Sequence, residues 1–229
     1  MGPFVTAFMR VSLLPILVLV LLGAAPDVRA GTILVLGDSI SAAYGMDTDQ
    51  GWVRLLERRL QRLDPELAVV NMSLSGETTG GGLARLPGAL QRHEPDVVII
   101  ELGGNDGLRG YPIDRIHANL SRMVTLSADA GARILIAGMH IPPNYGQRYV
   151  DSFHQIFHDV AEYHDVALVP FLLEGIATEA DLMQRDGIHP TADAQPLVLD
   201  NLWPALEHLL LDDIELARED SHEGSPSGE

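Results

Sequence analysis

Thr32-Ile33-Leu34-Val35-Leu36-Gly37-Asp38-Ser39 is the stretch on which the fold turns. Its apolar residues run on without alternation for about the length of one strand. That pattern belongs to a strand buried on both faces, as strands are in a parallel sheet covered by helices. Similar short runs recur at 68–70, 97–102, 133–137 and 167–169. Between them, 52–63, 83–92, 113–130 and 149–164 carry helical periodicity. In the last of these, Phe153, Ile156, Phe157 and Val160 share one face, while Asp151, His154, His158 and Glu162 occupy the other. A final helix is predicted after Thr191 as N-cap, running to about residue 211. Strands alternating with helices predict an α/β protein of three layers, α/β/α, around a five-stranded parallel sheet. Ligands of such sheets collect at the carboxyl ends of the strands, so the loops there carry the functional reading.

Composition narrows the chemistry first. The 229-residue chain has no cysteine, and all 15 of its basic residues are arginine, so it has no lysine either. Thiolate nucleophiles, disulfides and Cys-ligated metals are excluded. So are the phosphate lysine of Walker and kinase sites and any lysine Schiff base. The formal net charge of −17 argues against nucleic acid as a partner, which needs a basic face. Catalysis is left to Ser, Thr, His, Asp, Glu, Tyr or a metal held by nitrogen and oxygen.

The two ends read as separable from a domain over residues 31–211. After Arg10, an apolar run leads to Val28 and Ala30, which fit the small-residue rule for signal-peptide cleavage before Gly31. Residues 1–30 are therefore expected to be an export signal, placing the protein in the periplasm or outside the cell. The alternative is an uncleaved membrane anchor, since Phe4, Val5, Phe8 and Met9 lengthen the apolar stretch, although Arg10 and Pro15 interrupt it. At the other end, residues 212–229 hold seven acids and one arginine, and are expected to form a solvated, disordered tail.

Four strand-end loops carry side chains suited to chemistry. Gly37-Asp38-Ser39-Ile40-Ser41 places a serine after the first strand, where the start of a following helix favours a developing anion. The loop is not a Gly-x-Ser-x-Gly elbow, because Ser41 stands where the second glycine belongs. Gly76, in Ser75-Gly76-Glu77-Thr78, is able to aim a backbone N–H into a site; the plain alternative is a turn before a Thr-capped helix. Gly103-Gly104-Asn105-Asp106 presents the Asn105 amide, a neutral donor suited to an oxyanion. In Asp186-Gly187-Ile188-His189-Pro190, a carboxylate three residues before a histidine is placed to hold its Nδ1 proton and leave Nε2 free as a base. Together the loops supply Ser39 as nucleophile, His189 as base, Asp186 as orienting acid, and Gly76 and Asn105 as donors.

This set resembles the SGNH (GDSL) hydrolase superfamily, named for its Ser, Gly, Asn and His blocks. It is most similar to the bacterial periplasmic thioesterase I, lysophospholipase and arylesterase group. The blocks are Gly-Asp-Ser-x-Ser-Ala, Ser-Gly-Glu-Thr, Gly-Leu-Ala-Arg-Leu-Pro, Glu-Leu-Gly-Gly-Asn-Asp-Gly-Leu-Arg-Gly, Pro-Pro-Asn-Tyr-Gly and Asp-Gly-Ile-His-Pro, in order from residue 32 to about 211. The resemblance implies a flavodoxin-like fold and hydrolysis of acyl esters or thioesters without a cofactor or metal. It implies Ser39, Asp186 and His189 as the catalytic set, and the Ser39 and Gly76 N–H groups with the Asn105 amide as the oxyanion hole. Partners would be small acyl substrates such as aryl esters, acyl-CoA or lysophospholipids, with membrane contact only through the N-terminal segment or a lipid substrate.

Rival readings stand beside it. Residues Met139 to Tyr145, with Pro142 and Pro143, fit an acyl groove or a stiff connection; Leu108 and Arg109 fit substrate contact or a solvated edge. His154 and His158 have i,i+4 spacing, but residue 155 is Gln, so the His-Glu-x-x-His zinc motif fails. Within the superfamily the alternative activity is carbohydrate O-deacetylation. The non-enzymatic alternative is an exported lipid- or glycan-binding module.

Overall fold

In the computed structural model, which describes residues 31–223, β1 (Thr32–Gly37) is buried from Ile33 onward. It pairs in parallel with β2 (Ala68–Asn71) on one side and β3 (Val97–Glu101) on the other, so that Val35 faces Asn71 and Ile99. β4 (Arg133–Ala137) and β5 (Ala167–Val169) extend the sheet beyond β3, also in parallel. The order β2-β1-β3-β4-β5 is the flavodoxin-like one.

Period-two alternation divides the strand residues between two cores. Leu34, Leu36, Val98, Ile100, Ile134 and Ile136 pack against α2 (Thr79–His93), α4 (Ile113–Asp129) and α5 (Gln147–His164). Ile33, Val35, Val97, Ile99 and Leu135 pack against α1 (Trp52–Leu63) and α6 (Gln195–Glu223). Three layers result, with both sheet faces covered. The N-cap of α1 is Gly51, which has no side chain to offer. Its place is taken by wholly buried Gln195, whose Oε1 accepts the Trp52 N–H at 2.9 Å from 143 positions away.

Strands and helices fall close to their expected places, with three differences. α2 starts at Thr79 rather than 83: the Thr78 hydroxyl caps it by accepting the Gly81 N–H, and three glycines in the first turn hide it from any apolar pattern. A one-turn helix, α3 (Gly104–Leu108), occupies the loop after β3. The third difference is that α6 continues to Glu223, past the expected end of the last helix at about residue 211. Ile214, Glu215, Leu216, Ala217 and Arg218 are helix-compatible, and no Gly or Pro intervenes before Gly224, so propensity outweighs the acidic composition. Residues 1–30, with the expected signal or anchor, and 224–229 lie outside the described residues. Among the described residues no helix is long and apolar enough to cross a membrane.

Chain winding reverses at β1, whose neighbours are β2 on one side and β3 on the other. A crevice opens at the carboxyl ends of β1 and β3, where connections leave in opposite directions. Ser39 follows β1 and Asn105 follows β3.

Candidate active site

After β1 the Asp38 carboxylate accepts the Ile40 N–H at 3.0 Å, a local bond that bends the chain around Ser39. One helical turn follows, closed by Ala42 N–H to the Asp38 carbonyl at 3.0 Å and ended at Ala43, whose φ is 57°. The expected helix start beside Ser39 is thus a single turn; α1 begins only at Trp52. Ser39 is 9% exposed, open enough for substrate and sheltered from bulk water.

The histidine arrives on a hairpin. Met183 and Pro190 form an antiparallel bridge, and the Gln184 N–H bonds the His189 carbonyl at 2.7 Å. At its tip Gly187 has φ +67°, a left-handed conformation that glycine adopts without the steric cost of a side chain. This turn lets Asp186 reach back over three residues. Its Oδ1 accepts the Ile188 and His189 N–H groups at 2.9 and 3.0 Å, and its Oδ2 lies 2.7 Å from His189 Nδ1. A carboxylate only accepts, so the proton of a neutral imidazole sits on Nδ1. Nε2 is then the acceptor for the Ser39 hydroxyl, 2.8 Å away.

Partial burial alone would raise the Asp186 pKa. The hydrogen bonds from the His189 ring and from the His189 and Ile188 N–H groups, with the His189 charge, outweigh it and hold Asp186 at about 2. Tyr44 lies against the imidazole at 4.4 Å between ring centroids. Gln184 ties both together, its Nε2 donating to the Tyr44 and Pro190 carbonyls at 2.8 and 3.0 Å.

Asn105 sits in the first turn of α3, and its Nδ2 donates to Asp38 Oδ2 at 3.0 Å. Its neighbour Asp106, wholly buried, accepts the Thr79 N–H and hydroxyl at 2.8 and 2.7 Å, locking α3 to the start of α2. Gly76 occupies the third position of a turn closed by Glu77 N–H to the Leu74 carbonyl, with φ +79°. The Gly76 carbonyl accepts Arg109 Nη2 at 3.1 Å, so Arg109 braces this loop.

Ser39, Asn105 and His189 line one cavity of about 580 Å³, whose walls include Leu108, Met139, Ile141, Pro142, Phe171 and Leu173. Asp186 stands behind His189, and neither Asp186 nor Gly76 is among the residues lining the cavity. The segment after β4 is a groove wall as well as a connection, and Tyr145 pins it by donating to the Leu108 carbonyl at 2.8 Å. His154 lies between His140 and His158, tilted against the first at 3.8 Å and edge-on to the second at 5.0 Å between ring centroids. Among the described residues no group of three or more His, Cys, Asp or Glu is arranged to hold a metal ion.

Sequence reasoning did not single out Tyr44, Gln184, Asp38 or Glu101. For Glu101 a signal existed: a charged residue closing an apolar run. Replacing Asn105 by Ala is expected to lower kcat by about 10²–10³-fold with a small change in KM, as loss of one oxyanion donor does. Steady-state kinetics on a p-nitrophenyl ester measure it.

A serine, an imidazole and a carboxylate in hydrogen-bonded series at the switch point of a parallel sheet define a serine hydrolase. The chain belongs to the GDSL-like lipase/acylhydrolase family, whose model matches residues 35–196. It is 51% identical over 181 residues to the esterase TesA of Pseudomonas aeruginosa, covering 79% of this chain and 90% of that protein. It is 42% identical over 200 residues to the thioesterase 1/protease 1/lysophospholipase L1 of Escherichia coli, covering 86% and 93%. The crystal structure of the psychrotrophic esterase EstA from a Pseudoalteromonas species superposes with a TM-score of 0.75 at 42% identity, covering 79% and 98%. The protein is an ester-hydrolysing enzyme of this family, as the sequence motifs anticipated.

Proposed function

We propose that Ser39 forms an acyl-enzyme with aryl esters, acyl thioesters such as acyl-CoA, and lysophospholipids. The observation that carries this reading is the Ser39–His189–Asp186 series opening onto an apolar groove. His189 Nε2 takes the hydroxyl proton as Ser39 attacks the acyl carbon, and Asp186 stabilises the imidazolium that forms. The Ser39 and Gly76 N–H groups and the Asn105 amide receive the oxyanion. On collapse the imidazolium gives its proton to the departing alcohol or thiol. Water, with its proton taken by His189, then attacks the acyl-enzyme and releases the acid. No step uses a metal or cofactor. The substrate is the small-molecule partner, and nucleic acid is not one.

The apolar wall favours an acyl chain over an acetylated sugar. Each methylene it buries is worth about 0.8 kcal/mol, roughly 4-fold in kcat/KM. A series of p-nitrophenyl esters from C2 to C16 is expected to rise steeply from C2 and then level off once the groove is filled. A sharp optimum at C2, with acetylated sugars preferred, would overturn this substrate class in favour of O-deacetylation. The leader-like residues 1–30 support export to the periplasm or beyond, with retention as a membrane anchor as the other outcome; N-terminal sequencing of the protein from its cell fractions separates them.

A further inference from the structure

Beside Ser39, two carboxyl groups are buried together. Glu101, the last residue of β3, is 0% exposed and Asp38 only 3%. Glu101 Oε2 accepts the Asp38 N–H at 3.0 Å and the Ser41 hydroxyl at 2.6 Å, while its Oε1 has no hydrogen-bond partner. Asp38 Oδ1 accepts the Ile40 N–H and its Oδ2 the Asn105 amide, each at 3.0 Å. The arrangement is built into the sheet: Gly37 is the cross-strand partner of Glu101, and a Cβ there would lie 2.6 Å from Glu101 Oε2 and 2.7 Å from Ser41 Oγ. Only glycine leaves room for this carboxyl.

Two adjacent buried carboxyls do not both ionise. We propose that Asp38 and Glu101 hold one proton between them, on Glu101, and that the Asp38 carboxylate is the positioning residue that orients the Asn105 amide toward the oxyanion. This rests on the reading of Asn105 as an oxyanion donor. A side-chain amide presents either its oxygen or its NH₂, and an anion accepts but never donates. With Asp38 ionised, the flipped amide would set oxygen against oxygen, so the Asn105 NH₂ is forced toward Asp38. One of its hydrogens is bound there and the other is left for the substrate oxyanion. The bond to an ion also polarises the amide and strengthens the remaining donor.

Charges around the pair agree with this division. Burial, then the Asp38 charge, pushes Glu101 well above the carboxyl range, with the Ser41 hydroxyl and the Asp38 and Ser41 backbone pulling the other way. Burial raises Asp38 to about 6, opposed by the Ile40 N–H, the His189 charge, the Asn105 amide and the Glu101 side chain. Asp38 thus becomes the anion as pH rises through about 6, while Glu101 stays neutral.

The test uses the full-length protein with Asp38→Asn, Glu101→Gln, Asn105→Ala and the double variant Asp38→Asn/Asn105→Ala. Asp38→Asn sets an NH₂ where one of two donors now finds an acceptor, and is expected to lower kcat about 10²-fold while KM stays within about 3-fold. The double variant is expected to match Asn105→Ala alone within about 3-fold, since Asp38 then has no amide to orient. Glu101→Gln copies a neutral acid and is expected to keep kcat within about 3-fold. Wild-type kcat in Asp38→Asn, or fully additive losses in the double variant, would overturn the positioning role; a Glu101→Gln loss as large as that of Asp38→Asn would overturn the proton's placement. Infrared spectra of ¹³C-glutamate-labelled protein at neutral pH give a reading that needs no active variant: a protonated carboxyl band is expected in the wild type and lost in Glu101→Gln, and its absence from the wild type would overturn the pair. An unaffected Asn105→Ala, by contrast, would count against the oxyanion reading itself.

Discussion

Ser39→Ala is expected to lower kcat on any ester substrate by roughly 10⁶-fold, the scale on which nucleophile removal acts in serine hydrolases. The loss is chemical, because Ser39 Oγ is the atom that faces His189 Nε2 at 2.8 Å and no other hydroxyl is bonded to that nitrogen among the described residues. Folding should survive. The variant gives up one partly exposed hydrogen bond, worth about 1 kcal/mol, and keeps a β1 turn held by Asp38 and Ile40. Stoichiometric labelling by a fluorophosphonate should vanish while the urea midpoint shifts little. Turnover near the wild-type rate in a purified, folded variant would remove Ser39 from the mechanism.

Asp186→Asn is expected to cost about 10⁴-fold in kcat with KM nearly unchanged. An amide at this position either keeps its oxygen on the Ile188 and His189 N–H groups and turns its NH₂ on His189 Nδ1, or gives up those backbone bonds. In the first case the imidazole proton moves to Nε2, and the ring no longer accepts from Ser39. Acid behaviour follows from the same contacts. With Asp186 held at about 2, the carboxylate persists far below neutrality and does not set the acid limb of activity. The sign for stability is that of a depressed carboxyl: its contribution is full above the ordinary value of about 3.9 and lost as pH falls through about 2. Acid unfolding followed by circular dichroism should lose that component in Asp186→Asn. An Asp186→Asn enzyme with near wild-type kcat would show that His189 needs no orienting acid.

Much of the architecture was legible because the strands are buried on both faces and so read as unbroken apolar runs. The side chains in hydrogen-bonded series were legible for a related reason: Ser39 closely follows Gly37, and Asp186 and His189 flank Gly187, so each stands in a loop marked by glycine. What stayed hidden was local structure without periodicity and contact without sequence proximity. Gly104-Asn105-Asp106-Gly107 shows no apolar spacing, yet it forms α3 because buried Asp106 reaches the Thr79 N–H and hydroxyl. Acidic composition concealed the extension of α6, where helix propensity was the better guide. Glu101 meets Ser41 across 60 positions, and Gln184 joins Tyr44 across 140; neither pairing leaves a trace in spacing.

The distance along the chain between its key partners has a consequence in time. Ser39 and His189 are 150 positions apart, and the first turn of α1 is completed by Gln195. Contacts that close such long loops form late, since chain entropy must be overcome before they reward it. A growing or refolding chain can therefore assemble β1 to β4 and still lack its base. Hydrolysis begins only once the C-terminal segment has docked, so the onset of turnover marks the completion of the fold, and partly assembled molecules are chemically silent toward esters.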